Sequence, residues 1–260
     1  MQDSMLENYR YFLKDSIRKT IDFSQIDQNQ RVAPPPVQKP YNSTAECIDL
    51  IPLSEFPNVA NIDLLTAIGQ RRSRRSYQET PLSLSELSFL LWATQGIQRR
   101  MDSGHALRTV PSAGARHSLE TYLCILNVDG IDTGFYRYLP IEHQLLVKLR
   151  DPKAGNRLAE AAFQQNWIAN AGVVFIWSTI PYRMEWRYGL AAHRVILLDA
   201  GHVCQNLYLG CEAVGAGMCA VAAYDQELMD KLLMLDGIDE FVIYMGVVGK
   251  MRENSEQKNK

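Results

Sequence analysis

Four arginines, Arg71, Arg72, Arg74 and Arg75, crowd into five positions of the stretch RRSRRSY. A guanidinium fork matches phosphate oxygens two at a time, and Ser73 sets a hydroxyl donor among the forks. Such a cluster can serve a small anion such as a phosphate, a solvated basic turn or a nucleic-acid contact. Two further stretches put small residues where a packed fold favours bulk. In VPSAGARHSLE, the run Pro111, Ser112, Ala113 and Gly114 lets a backbone come close to something flat or charged, since no large side chain intervenes. In AVAAYD, Val221, Ala222 and Ala223 follow the glycine pair Gly215 and Gly217. No G-x-x-x-x-G-K-[ST] loop occurs, and no strand is followed by G-x-G-x-x-G, so the common nucleotide-binding loops lack their motif.

The whole chain narrows those choices. Its 260 residues carry 27 Lys and Arg against 29 Asp and Glu, a formal net charge of −2, so the arginines are a local feature of a chain that is not basic. A nucleic-acid partner is therefore disfavoured. No apolar run approaches the roughly 18 residues of a membrane span, and MQDSMLENYRYFLKDS has no signal-peptide core. Five dispersed cysteines without a C-x-x-C pair read as reduced, packed thiols of a cytoplasmic protein. His193 and His202 stand nine apart with no carboxylate at metal spacing, so no metal site is expected. His202 reads as a core histidine.

The elements that must position these stretches follow from periodicity and capping. Residues 1–60 read as an N-terminal extension or arm, with a short amphipathic helix (Leu6, Tyr9, Phe12, Leu13, Ile17) and an extended VAPPPVQKP segment, suited to embracing a partner subunit. The main domain spans 61–252, with 253–260 as a tail. NIDLLTAIGQRR predicts a helix that delivers the arginines at its end. Ser83 and Glu86 form a capping box for a helix stopped by Gly96. ETYLCILNV is a strand, GFYRYLP and HQLLVKL a hairpin, and Asp151-Pro152 opens a helix through Gln165. AGVVFIWSTI is a strand buried on both faces; Tyr188 to Ala213 is one long helix, apolar almost all round. GAGMCAVAAYD, a helix capped by Asp225, and EFVIYMGVVGK complete a three-layer α+β domain. The loop 99–107 reads as a lid.

Taken in order, R-R-S-x-R, the capped L-S-x-x-E-L helix, P-S-A-G-A-x-x-x-L-E, Y-G-x-x-x-x-R and D-A-G-H-V-x-Q-N-L resemble the nitroreductase superfamily over roughly residues 60–250. Within it they are similar to the branch that includes the thiazoline and oxazoline dehydrogenases. The resemblance implies a mostly antiparallel central sheet with helices on both faces. It also implies an intertwined homodimer and an FMN touched by both chains, with NAD(P)H as reductant. It places Arg71, Arg72, Ser73 and Arg75 around the ribityl phosphate and pyrimidine edge. Pro111, Ser112, Ala113 and Gly114 of the other subunit would lie along the ring, and Val221, Ala222 and Ala223 would face its N5 and O4 edge. Lys250 and Arg252 become phosphate-binding cations, with Gln165 and Gln95 at the pocket wall. Arg187 and Tyr188 occupy the positions of a catalytic Lys-Tyr pair in the azoline dehydrogenases. Arginine stays charged near neutral pH and is no base there. Arg116, His117 and Ser118 depart from the family pattern and would add polarity beside the ring; Trp186 could line a substrate mouth. The implied function is hydride transfer from NAD(P)H through FMN to a small organic acceptor by a ping-pong mechanism. The alternatives are oxidation of an azoline or peptide C–N bond with oxygen, or a flavin-binding or flavin-consuming protein without external turnover.

Overall fold

A computed structural model describes residues 2–52, 54, 56 and 59–251. Helix α1 (Gln2–Phe12) is followed by 3₁₀ turns at Asp15–Thr20 and Phe23–Gln25, then strand β1 (Cys47–Asp49). Helices α2 (Leu64–Gln70) and α3 (Leu84–Gln95) precede a hairpin of β2 (Ile97–Arg100) and β3 (Ala106–Arg108). Next come β4 (Leu119–Ile125), β5 (Gly134–Leu139), β6 (Gln144–Arg150), α4 (Ala154–Ala161) and β7 (Val173–Thr179). The chain continues through α5 (Tyr182–Tyr188), α6 (Ala192–Ala213), β8 (Ala216–Val221), α7 (Gln226–Leu232) and β9 (Phe241–Lys250).

Seven strands form one sheet in the order β1-β6-β5-β4-β7-β9-β8, each pair antiparallel. Alternation sorts β7 between two cores: Val173, Phe175 and Trp177 pack with α3 and α6, while Val174 and Ile176 pack with α4 and α7. All seven β7 residues are buried, as expected of a central strand. Three layers result, the α+β arrangement that the sequence implied. No helix of the described residues is long and apolar enough to cross a membrane.

The capping box forms as expected: Ser83 accepts from Glu86 N–H at 3.2 Å, and Glu86 accepts from Ser83 N–H at 2.8 Å. Several elements depart from the sequence reading. The helix expected from Asp151 to Gln165 spans only Ala154–Ala161, because Phe163 and Gln164 adopt φ of 56° and 60°, which no α-helix tolerates. The long helix expected from Tyr188 begins instead at Ala192, since Tyr188 ends α5 and Gly189 turns to φ 51° after it. Loop 99–107 largely belongs to the β2–β3 hairpin. Helix α2 stops at Gln70, before the arginines. His202 is exposed on α6 rather than in the core, because none of the described residues covers that side.

Residues 26–40 lie against their own domain as a strap. Gln28 N–H donates to the Trp186 carbonyl at 2.9 Å, and Trp186 Nε1 donates to Val32 O at 3.0 Å. The next carbonyls are taken by buried arginines: Arg108 donates to Val37 O at 2.6 Å and Arg137 to Lys39 O at 2.9 Å. The proline-rich segment makes no ladder bonds of its own, so these side chains satisfy carbonyls that would otherwise be buried unpaired.

Candidate cofactor site

Beyond α2 the chain runs extended, and Ser73 bridges in parallel to Met218 of β8 while Arg74 N–H donates to Met218 O at 2.8 Å. Tyr208 of α6 fastens this segment from below. Its hydroxyl lies 3.0 Å from Ser73 Oγ and accepts from Ala220 N–H at 3.1 Å, and the Arg71 guanidinium sits 5.2 Å from its ring. Gly217 is required at this crossing, because a Cβ there would meet Arg74 Cγ at 2.6 Å. Among the described residues, no carboxylate lies within ion-pair distance of Arg71, Arg72, Arg74 or Arg75. Arg74 Nε is buried without a hydrogen-bond partner. Burial raises the pKa of nearby Glu212, against the pull of Arg74, Arg71 and Arg72.

At the end of β8, Val221 is buried, whereas Ala222 and Ala223 are exposed. Gln165 reaches this segment, donating to Ala223 O at 3.1 Å and Ala162 O at 2.9 Å. The Trp167 ring lies 6.0 Å from the Arg75 guanidinium. Lys250 turns inward to an ion pair with Glu86 and donates to Val214 O at 2.8 Å, so its ammonium is already engaged. Gln95 is buried and accepts from Arg108 at 2.6 Å. Arg252 lies outside the described residues.

The small-residue turn is built differently. Ser112 Oγ accepts from His117 N–H at 2.9 Å, and the chain passes Gly114, Ala115 and His117 at φ of 59°, 53° and 47°. Ala113 N–H points at the Asp199 carboxylate, 3.3 Å from both oxygens. Burial raises the Asp199 pKa, opposed by the Ser112 hydroxyl, the Ala113 amide and His202. Arg187 and Tyr188 press on the turn: a Cβ on Gly114 would lie 2.6 Å from Arg187 Nε and 2.7 Å from Tyr188 Oη. Arg116 and His117 point into the protein, with only 2% and 6% of their surface exposed, so they add no polarity to an open face. Trp186 is likewise buried, under Arg116 at 4.6 Å, and lines no mouth.

The candidate residues fall into two groups, each a candidate half-site. One unites Arg71–Arg75 with Val221–Ala223 and Gln165; the other unites Pro111–Gly114 with Arg187 and Tyr188. Their anchors on α6, Tyr208 and Asp199, stand nine residues apart. At 1.5 Å per residue these anchors are about 13 Å apart along the helix. Sequence reasoning missed Tyr208 and noted Asp199 only as a polar interruption of an apolar helix. Among the described residues, no group of three His, Cys, Asp or Glu side chains converges as metal ligands would.

The Nitroreductase family model matches residues 68–250, and the chain belongs to that family. A Methanocaldococcus jannaschii protein described as a nitroreductase is 36% identical over 200 residues, covering 76% of this chain and 96% of its own length. The trifolitoxin-processing protein TfxB of Rhizobium leguminosarum bv. trifolii is 26% identical over 244 residues; the match spans 88% of this chain and 64% of TfxB. A nitroreductase structure from Ralstonia eutropha shares the fold with a TM-score of 0.66 at 24% identity, over 83% of this chain and 94% of that one. The Escherichia coli microcin synthetase McbBCD complex also shares the fold, with a TM-score of 0.59 at 16% identity, over 96% of this chain and 93% of that one.

Proposed function

We propose that this protein is an FMN-dependent oxidoreductase, working as a homodimer, that takes hydride from NAD(P)H and passes it to a small organic acceptor. The observation that carries the reading is the guanidinium cluster with no carboxylate partner, beside the small residues Ala222 and Ala223. An FMN phosphate carries close to two negative charges, which Arg71, Arg72 and Arg75 would neutralise bidentately, with the Ser73 hydroxyl as a short donor. The buried, unpartnered Arg74 Nε fits the same group, since an anion nearby would compensate it. Bound there, the flavin supplies two-electron hydride transfer. The residues of this chain hold and flank it. Tyr208 fixes Ser73 relative to Ala220, and the Pro111–Gly114 turn of a second copy would close the opposite side, since within one chain the two anchors stand about 13 Å apart along α6. No side chain in either half is placed as an obligate acid or base, which suits donor and acceptor taking turns in one cavity.

A second reading, oxidation of an azoline or peptide C–N bond with oxygen, rests on the Arg187-Tyr188 pair against Gly114 and on the likeness to TfxB. Arginine in place of a titratable base weighs against it. Absorbance spectroscopy with anaerobic titration decides among these. The oxidoreductase reading expects an FMN band near about 450 nm that NADH or NADPH bleaches rapidly. A protein that stays colourless after FMN addition removes every flavin reading. A bound flavin that neither nucleotide reduces favours the second.

A further inference from the structure

Arg116 is 2% exposed, and among the described residues no carboxylate lies within ion-pair distance of it. Burial lowers its pKa, and the neighbouring cations Arg187 and Arg183 lower it further, against the pull of Asp102 and Tyr188. A buried cation without a counter-charge is costly, and an apolar side chain of similar volume would avoid that cost. What the guanidinium gains instead is connection. It donates to Arg183 O on α5 at 3.0 Å and to Gly104 O in the β2–β3 connection at 3.1 Å, and it reaches Pro35 O of the strap at 3.5 Å. Its face stacks 4.6 Å from the Trp186 ring.

These contacts join three segments around the Gly114 turn: α5, the β2–β3 connection and the strap. Arg116 itself follows the turn by two residues. Trp186 precedes Arg187 by one and carries both the Arg116 stack and the Nε1 bond to Val32. Tyr182, at the start of α5, donates to the Asp27 carboxylate of the strap at 2.6 Å. A planar fork with several fixed donors holds three main-chain carbonyls in set directions, which a lysine's rotating ammonium does less rigidly and an apolar residue does not do at all. We propose that Arg116 is a positioning residue: it locks α5, the β2–β3 connection and the strap together, and so holds Arg187 and Tyr188 against the Gly114 turn. The strap is then a working part of the site rather than an appended arm. This rests on reading that turn as one wall of the redox site.

The test uses the full chain, with limited trypsin digestion and kinetics run in parallel. Arg31, exposed at the start of the strap, is the reporter bond. In Arg116→Met, cleavage after Arg31 accelerates about tenfold. The kcat for NADPH-driven menadione reduction falls about tenfold, while KM and FMN affinity stay within about twofold; a mere loss of fold would move them all together. Arg116→Lys recovers part of both effects. Gly104→Ala serves where Arg116→Met does not fold, because its methyl would sit 2.5 Å from Pro34 Cγ and wedge the connection from the strap with Arg116 intact. The same pattern is expected there. Unchanged cleavage in the folded variants overturns the lock whatever the flavin does, and so does unchanged kcat in a strap that has come loose. A wild-type protein that binds no FMN refutes the functional reading instead, and the cleavage comparison still judges the lock.

Discussion

The chain uses arginine in two opposite ways. Arg71, Arg72, Arg74 and Arg75 lie on an extended segment at the surface with no carboxylate in reach. Arg108, Arg116, Arg137 and Arg183 are all buried, and main-chain carbonyls, Gln95 and, for Arg183, Glu120 at 2.6 Å take most of their donors, leaving Nε of Arg108 and of Arg137 without a partner. Burial would raise the Glu120 pKa, yet Arg183, Arg137 and Arg108 together bring it down, so the carboxylate stays charged. Arg108 falls only to about 10, chiefly from burial, and remains a cation at neutral pH. The second set is consumed by the fold. The first set has no carboxylate within ion-pair distance among the described residues, and of its guanidinium groups Arg72 donates to main-chain carbonyls, Gly69 O at 3.1 Å and Arg71 O at 2.8 Å; under the proposed function a bound anion completes it.

That contrast can be broken most forcefully at Arg183. Replacing Arg183 by Met leaves Glu120 buried without its ion-pair partner, which should cost about 3–5 kcal/mol of stability in denaturant unfolding, with FMN affinity of the folded protein unchanged. A loss below about 1 kcal/mol would put this pair in the class of exposed ones. The surface set should behave in reverse. The double variant Arg72→Ala, Arg75→Ala is expected to weaken FMN binding about 100-fold, near 2.7 kcal/mol, with an unchanged unfolding midpoint, read by flavin fluorescence titration. A fall in stability with FMN affinity intact would reverse the assignment. The smallest effect sharpens the comparison. His117 is held down to about 3 by burial first, and also by Arg108, Arg116 and Arg183. The folded protein therefore refuses the proton that an unfolded chain takes near 6.5, so the stability present above that pH drains as pH falls from 6.5 toward 3. Between pH 6.5 and 5.5 the loss should be roughly 1 kcal/mol, and His117→Asn should flatten that slope.

What the sequence made legible was whatever is local. The Ser83–Glu86 capping box, the apolar run of β7 and the β5–β6 hairpin each depend on residues a few positions apart. The break at Gly189 was hidden, since glycine also occurs inside helices, and the short α4 was hidden because Phe163 and Gln164 take left-handed conformations without a glycine to announce them. Strand β1 has three residues and exists only through its pairing with β6, a partner about a hundred positions away. At the site, the arginine cluster and the small-residue turn stood out by composition. Tyr208 and Asp199 did not, because on an apolar helix they look like packing, and their role depends on what the fold lays over them. Arg116 and Trp186 were placed beside the open face, although the fold turns both inward onto the strap.

Helix α6, with 22 residues, carries the Tyr208 anchor of one half-site and the Asp199 anchor of the other. In a two-fold assembly that completes both cavities, each copy of this helix would serve one cavity with its N-terminal half and the other with its C-terminal half. A rod so shared cannot shift for one occupant without being felt by the second. Cooperativity between the paired centres, seen as unequal loading of the first and second equivalents of flavin, is then a property of a single rigid element.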